Sequence, residues 1–338
     1  MKYLKLLWLG LLCVSCNDDG YFGPVYLNHT ITVSNLSSSR LIVGCEGNFQ
    51  SANASISEIS LDEQTVDNEV FLKRNGYGVG DVVQSIYQRN DSIFVVVNNS
   101  GLVRILTSDS LIEIGKVSGL QSPRHVFLRS GSMLVSDLYS NEITEIDLST
   151  LSSINKYPVE GWTERFISFG QKIVVANIKQ RSILIYDEDM QYERLIQLQL
   201  EPHFLFEFNG DLFAVGPKSQ ANQGMILKRL NANFTVLDSL ITEYPFTYAS
   251  LDQSQLYVLS MKKVIKINLR NLEQRQESTL DLVNPYSISI NRTNKHLFIS
   301  DANDYLSFGE VIEYDSTARL RVSSYKVGYI PQAMHFAL

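Results

Sequence analysis

A unit of about 40 residues that recurs along the chain restricts its fold more than any other feature. Ser122 to Val159 reads SPRHVFLRSGSMLVSDLYSNEITEIDLSTLSSINKYPV. An apolar run at Val126–Leu128 meets a turn, and a second run at Met133–Val135 ends in the polar loop Ser136–Asn141. Runs at Ile143–Asp147 and Ile154–Tyr157 complete the unit. Four short strands joined by turns in this length make one blade of a β-propeller. The opening of the unit returns as VVQSIYQRNDSIFVVVN from Val82, TERFISFGQKIVVAN from Thr163 and PHFLFEFNGDLFAVG from Pro202. It returns again as PFTYASLDQSQLYVLS from Pro245 and PYSISINRTNKHLFISD from Pro285.

The third strand recurs as well, ending in Asp or Asn at Asp62, Asp147, Asp187, Asn231, Asn268 and Asp315. Such a side chain caps the following turn, so these residues read as structural. The blade count follows from the termini. Residues Leu41 to Leu72 supply a second, third and fourth strand without a first, whereas IPQAMHFAL at the C-terminus supplies a lone first strand. Joined, they make one blade and close the ring, which removes exposed strand edges. The expectation is an all-β, seven-bladed propeller of four-stranded antiparallel blades over residues 36–338.

Composition agrees. The 338 residues are 44% hydrophobic and 19% charged, enough for a core in a single closed β unit. A net charge of -7 opposes nucleic-acid binding, which needs a basic field. The sequence has no P-loop, no G-x-G-x-x-G after a strand and no paired-Cys motif.

The N-terminus reads as an address. Lys2 and Lys5 flank a short apolar run, Leu6–Val14, that is too short to span a bilayer. Followed by Ser15 and Cys16, the run resembles a bacterial lipoprotein signal, with Cys13-Val14-Ser15-Cys16 in the place of the lipobox. The resemblance implies loss of residues 1–15 and lipidation of Cys16. An ordinary secretory signal is the alternative. Cys45 is then the remaining thiol, and its place in an apolar strand reads as a small core residue. Residues 16–35 read as a tether, and Asp18 and Asp19 resemble the acidic signal that sends Bacteroidota lipoproteins to the cell surface. Any solvated linker carries such acids too.

Binding residues are expected on the face that carries the links between blades and the loops after second strands, because the opposite face has only tight turns. The candidates there are Glu46, Asn48 and Phe49, then Asn98 and Asn99, Arg124, Asp137 and Tyr139. Further round come Trp162 and Glu164, Asn177 and Lys179, Lys218, Tyr248 and Tyr286, and last Asp301, Asn303 and Tyr305. Tyr77, Gln220, Tyr244, Phe308 and Tyr329 fill out the rim. Rings offer area at low entropic cost and amides fix orientation, a mixture suited to a large, partly polar ligand.

The runs CEGNFQSANASISEI, GDVVQSI with FVVVNNSG, PRHV with VSDLYSNEITEID, and GWTE are similar to surface lipoproteins of Bacteroidota in the YncE-like propeller group. That group includes cobalamin-capture lipoproteins (the BtuG type) that sit over a TonB-dependent outer-membrane transporter. The resemblance implies a lipid-anchored, cell-surface protein of the outer membrane. It would bind a corrinoid or another large nutrient, with the transporter as partner and no resident cofactor. A ferric siderophore or haem suits the same rim, and a protein-interaction scaffold without small ligand is a further reading. The enzymatic alternative rests on His125, His203 and Glu164, which start first strands as metal ligands do in lactonase-like propellers. Gln84, Thr247, Ser287 and Gln332 at comparable places make a polar, watered channel the plainer expectation, with no catalytic residue and no metal.

Overall fold

A computed structural model describes residues 39–218 and 221–337. The expected signal, Cys16 and the tether lie outside the described residues, as does Gln220. The described strands form seven four-stranded antiparallel sheets, six of them hydrogen-bonded in chain order from the innermost strand outward. Blade 1 joins the two termini: Pro331–Ala337 is innermost, followed by Arg40–Cys45, Ser55–Ser60 and Thr65–Asp67. Blades 2 to 7 begin at Val83–Arg89, Pro123–Leu128, Thr163–Phe169, Phe204–Phe208, Tyr248–Asp252 and Pro285–Ile290.

The second strands are nearly continuous apolar runs because both faces are covered by neighbouring blades. SIFVVV at Ser92–Val97 and LFISD at Leu297–Asp301 are two of them. Their alternation sorts side chains between two interfaces. Leu41, Val43 and Cys45 pack toward blade 7, against Phe298, Val311 and Tyr325, while Ile42 packs toward blade 2, with Val83 and Val95. Seven such apolar clusters fill the seven joints between blades. Burial raises the Cys45 thiol to about 12, so the thiol stays protonated and packs as a small apolar group.

Five of the six turn residues cap as expected; in blade 1 the third strand ends at Ser60 rather than Asp62, and Ser60 Oγ accepts from Glu63 N. Asp147 Oδ1 accepts from the amides of Ser149 and Thr150, and Asp187 Oδ1 from those of Asp189 and Gln191. Asn231, Asn268 and Asp315 repeat the arrangement. One local expectation is corrected: the fourth strand of blade 1 does not reach Leu72. It covers only Thr65–Asp67, and Val70–Asn75 is a short helix that ends at Gly76 in the left-handed region (φ 81°). Val70 and Phe71 are buried in the joint with blade 2, where Arg104 stacks on Phe71 at 5.0 Å. An apolar run as short as Val70–Leu72 does not distinguish helix from strand.

Candidate functional site

Five of the innermost strands share one irregularity, and it falls at the same place in each. Their first pair is regular, and the register then slips by one residue. The extra residue is Gln332 in blade 1, Gln84 in blade 2 and Tyr286 in blade 7, with Arg124-His125 sharing the slip in blade 3 and Glu164-Arg165 in blade 4. A bulge leaves an amide without a ladder partner and re-aims its side chain. Two hydroxyls on second strands take up the spare amides: Ser136 Oγ accepts from His125 N at 3.0 Å and Ser300 Oγ from Ser287 N at 2.9 Å.

The re-aimed side chains meet at the mouth of the central channel. Arg124 donates from Nε to Glu164 Oε1 at 2.8 Å and from Nη1 to Gln84 Oε1, tying blades 2, 3 and 4. His125 Nε2 lies 3.4 Å from Glu164 Oε2. On the far side, Tyr286 Oη donates to Glu46 Oε2 at 3.2 Å. Gln332, its amide nitrogen turned inward, donates to Glu46 Oε1 at 2.8 Å and to the Gln84 carbonyl at 3.1 Å. Arg165 of blade 4 spans blade 5 to reach blade 6: Nη2 donates to Tyr248 Oη at 3.0 Å, and the guanidinium lies over the rings of Phe204 (5.1 Å) and Tyr248 (5.9 Å).

Burial and charge set the two carboxylates apart. Burial pushes Glu46 up to about 7, against the Tyr286 hydrogen bond and the Arg124 charge. Burial also opposes charge at Glu164, but Arg124, and then His125, overcome it and hold this carboxyl at about 2. Burial lowers His125 to about 4, so at neutral pH its imidazole is uncharged and Glu164 stays ionised. Metal ligation finds little support in this geometry. Among the described residues no group of three His, Cys, Asp or Glu side chains is placed to hold a metal ion, and two guanidinium groups occupy the same mouth.

The sequence-derived candidates separate into three sets. Glu46, Arg124, Glu164, Tyr248 and Tyr286 converge on the mouth. Phe49, Tyr139, Trp162 and Tyr305 stand on the surrounding rim, with Lys179 and Lys218 exposed on the loops of blades 4 and 5. Tyr139 and Trp162 meet edge to face at 6.3 Å, and Tyr305 meets Tyr286 at 6.1 Å. Phe308, beyond them, stacks on Tyr329 at 4.6 Å. The backbone holds Trp162 in place: Gly161 takes φ 100°, and a Cβ there would fall 2.6 Å from Asn177 Oδ1.

The amides and the remaining acids form the third set, and their polar atoms brace the loops. Asn98 donates to Ser122 Oγ and the Pro123 carbonyl, and Asn99 donates to Asp81. Asn177 donates to the Glu160 carbonyl at 2.7 Å, Asn303 to that of Phe308, and Asn48 to that of Tyr305. Asp137 is buried and accepts from the amides of Ser122, Tyr139 and Ser140. Asp301 does the same for Val283, Asn284 and Asn303.

Sequence reasoning placed Gln84, His125, His203 and Gln332 on the channel but did not select them, and it did not single out Arg165. A usable signal was present in the Ser-Asp pairs that end the second strands of blades 3 and 7. The serine feeds the bulge and the aspartate holds the link between blades.

Neither a protein-family model nor a curated protein sequence matches the chain. Solved structures do. A quinonprotein alcohol dehydrogenase-like protein from Bacteroides thetaiotaomicron superposes with a TM-score of 0.70 at 12% identity, covering 89% of this chain and 79% of the other. A putative 6-phosphogluconolactonase from Bacteroides fragilis gives 0.66 at 12% identity, over 88% and 98%. Apo AztD from Citrobacter koseri gives 0.61 at 11% identity, over 87% and 96%. At these identities the likeness shows the fold, a propeller that occurs with varied functions, enzymatic ones included.

Proposed function

We propose that the protein captures a large small-molecule nutrient on the loop face of its propeller and passes it to a TonB-dependent outer-membrane transporter. The observation that carries this reading is the set of aligned bulges, which turn polar side chains from five blades toward one mouth inside a rim of exposed aromatics. Exposed rings around a convergent polar centre match what a large amphipathic ligand requires. Cobalamin is the favoured ligand, on the sequence resemblance. The proposed role is binding without catalysis.

The test is calorimetric titration of the detergent-solubilised protein with cobalamin, a ferric catecholate and haem. One of them is expected to bind tighter than ~10 μM, about -7 kcal/mol. Trp162→Ala and Tyr139→Ala should each weaken it at least ~10-fold, about 1.4 kcal/mol, because rigid rings at a rim act as anchors. Gln171→Ala, on the tight-turn face, should change nothing. Absence of any binding at that level favours a protein scaffold, and binding indifferent to both aromatic variants puts the site elsewhere on the ring.

Anchoring at the cell surface belongs to the same proposal, through a lipid on Cys16. Cys16→Ala should abolish labelling by radioactive palmitate while leaving the propeller's melting temperature unchanged. Label retained in the variant would remove Cys16 as the acceptor.

A further inference from the structure

The charges at the mouth do not balance on its two sides. Arg124 is neutralised by Glu164 at 2.8 Å. Arg165 has no carboxylate partner among the described residues: its Nη2 donates to the Tyr248 hydroxyl, and the guanidinium carbon lies 5.1 Å from the centre of the Phe204 ring and 5.9 Å from that of Tyr248. With one N–H of Nη2 given to Tyr248, the remaining N–H donors of the guanidinium still form a fork matched to two oxygens of one oxyanion. The bulge at Glu164-Arg165 and the stacking fix its direction before any ligand arrives, so little rotamer entropy remains to be lost on binding.

The surroundings on that side carry both signs. Lys179, Lys218 and Lys262 stand exposed on the loops of blades 4, 5 and 6, against Glu160 and Glu243 of the links and the buried Glu201, which lies 3.6 Å from His203. The protein as a whole carries a net charge of -7, which repels anions at long range, so an anion at the mouth has to be held by short-range contacts with Arg165.

We infer that Arg165 is the centre of an oxyanion subsite at the channel mouth, which takes a carboxylate or phosphate group of the bound molecule. The inference rests on the mouth being a binding site and is independent of which nutrient is captured. Tyr248 and Phe204 are positioning residues that hold the guanidinium, and the lysines supply attraction that salt screens.

The test is calorimetry of the detergent-solubilised full chain at low ionic strength with inorganic phosphate and, separately, citrate, which distinguish tetrahedral from carboxylate oxyanions. Wild-type protein should bind at least one of them saturably in the millimolar range, ~1–10 mM, with affinity falling as sodium chloride is added. Arg165→Gln should weaken that binding ~10-fold or more, and Arg165→Lys, which keeps the charge but loses the fork, by an intermediate amount. Both variants should melt with the wild type, and Arg165→Lys alone decides the matter if the glutamine variant does not fold. The subsite is overturned if neither anion binds saturably, or if the folded variants bind as the wild type does. Arg165-dependent phosphate binding without binding of cobalamin, siderophore or haem keeps the subsite and removes the nutrient reading. Nutrient binding without an Arg165-dependent anion site does the reverse.

Discussion

Removal of residues 330–338 should destabilise the propeller by ~5 kcal/mol or more, a large part of the 5–15 kcal/mol typical of a domain, and should lower its melting temperature by ~10 °C or more. Pro331–Ala337 is the innermost strand of blade 1, and from Arg40↔Ala337 to Cys45↔Pro331 it is the only ladder on that side of the strand Arg40–Cys45. It also touches both neighbouring blades. Phe336 meets Phe298 of blade 7 at 5.2 Å, the Gln332 carbonyl accepts from Ser287 Oγ at 2.6 Å, and His335 Nε2 lies 2.9 Å from Gln88 Oε1 of blade 2. Its loss therefore opens two joints and leaves the buried strand Arg40–Cys45 as a bare edge, the kind that recruits other chains. Concentration-dependent aggregation should accompany the lower melting point. A synthetic peptide of residues 330–338 should restore much of the lost stability by adding a strand, and a scrambled peptide should not. A truncated protein melting within a degree or two of the intact one would sink the account of closure.

Closure was legible in the sequence because it rests on a count: one first strand too many at the C-terminus and one too few at the N-terminus. The blades were legible because strands covered on both faces keep polar residues mostly to their ends, so Ile93–Val97 and Leu256–Leu259 leave unbroken apolar runs between turn residues. The mouth was legible only in part. Period-two alternation sends Glu164 and Arg165 to opposite faces, yet the slip between Thr163 and Phe166 turns both toward the mouth. A register slip adds no residue type and removes none, so composition does not report it. The bracing amides were misleading for a different reason. Asn98, Asp137, Asn177 and Asp301 sit where chain reversal strips backbone amides and carbonyls of ladder partners, and short polar side chains supply the missing partners. In sequence such a residue looks the same as one that faces a ligand. Two of the aromatic candidates, Phe49 and Tyr139, do remain exposed, at 65% and 56%, because no brace needs a ring.

Glu164→Gln should destabilise the protein by about 3 kcal/mol at pH 7, and two arguments give that figure. Breaking a largely buried ion pair by removing one partner costs about 3–5 kcal/mol, reduced here because the Arg124 side chain is 21% exposed. Independently, a carboxyl held at about 2 in the folded protein, against an ordinary 4.5, contributes roughly 3 kcal/mol at about 1.4 kcal/mol per pH unit. The sign follows from the depression: the unfolded chain binds the proton more readily, so this stability is fully present above pH ~4.5 and is lost as pH falls from there to about 2. Urea unfolding of wild type and variant should therefore differ most at neutral pH and converge toward pH 2. Arg124→Met added to Glu164→Gln should regain much of the loss, since it removes the unpaired charge rather than restoring its partner. A loss below ~1 kcal/mol at pH 7, or one undiminished in acid, would show that Glu164 does not stabilise through Arg124. The same substitution tests the mouth as a functional site. With Glu164 neutral, Arg124 loses its carboxylate partner and keeps only the attraction of Glu46, so a less stable protein should bind phosphate more tightly, a trade of stability for binding that a purely structural ion pair would not produce.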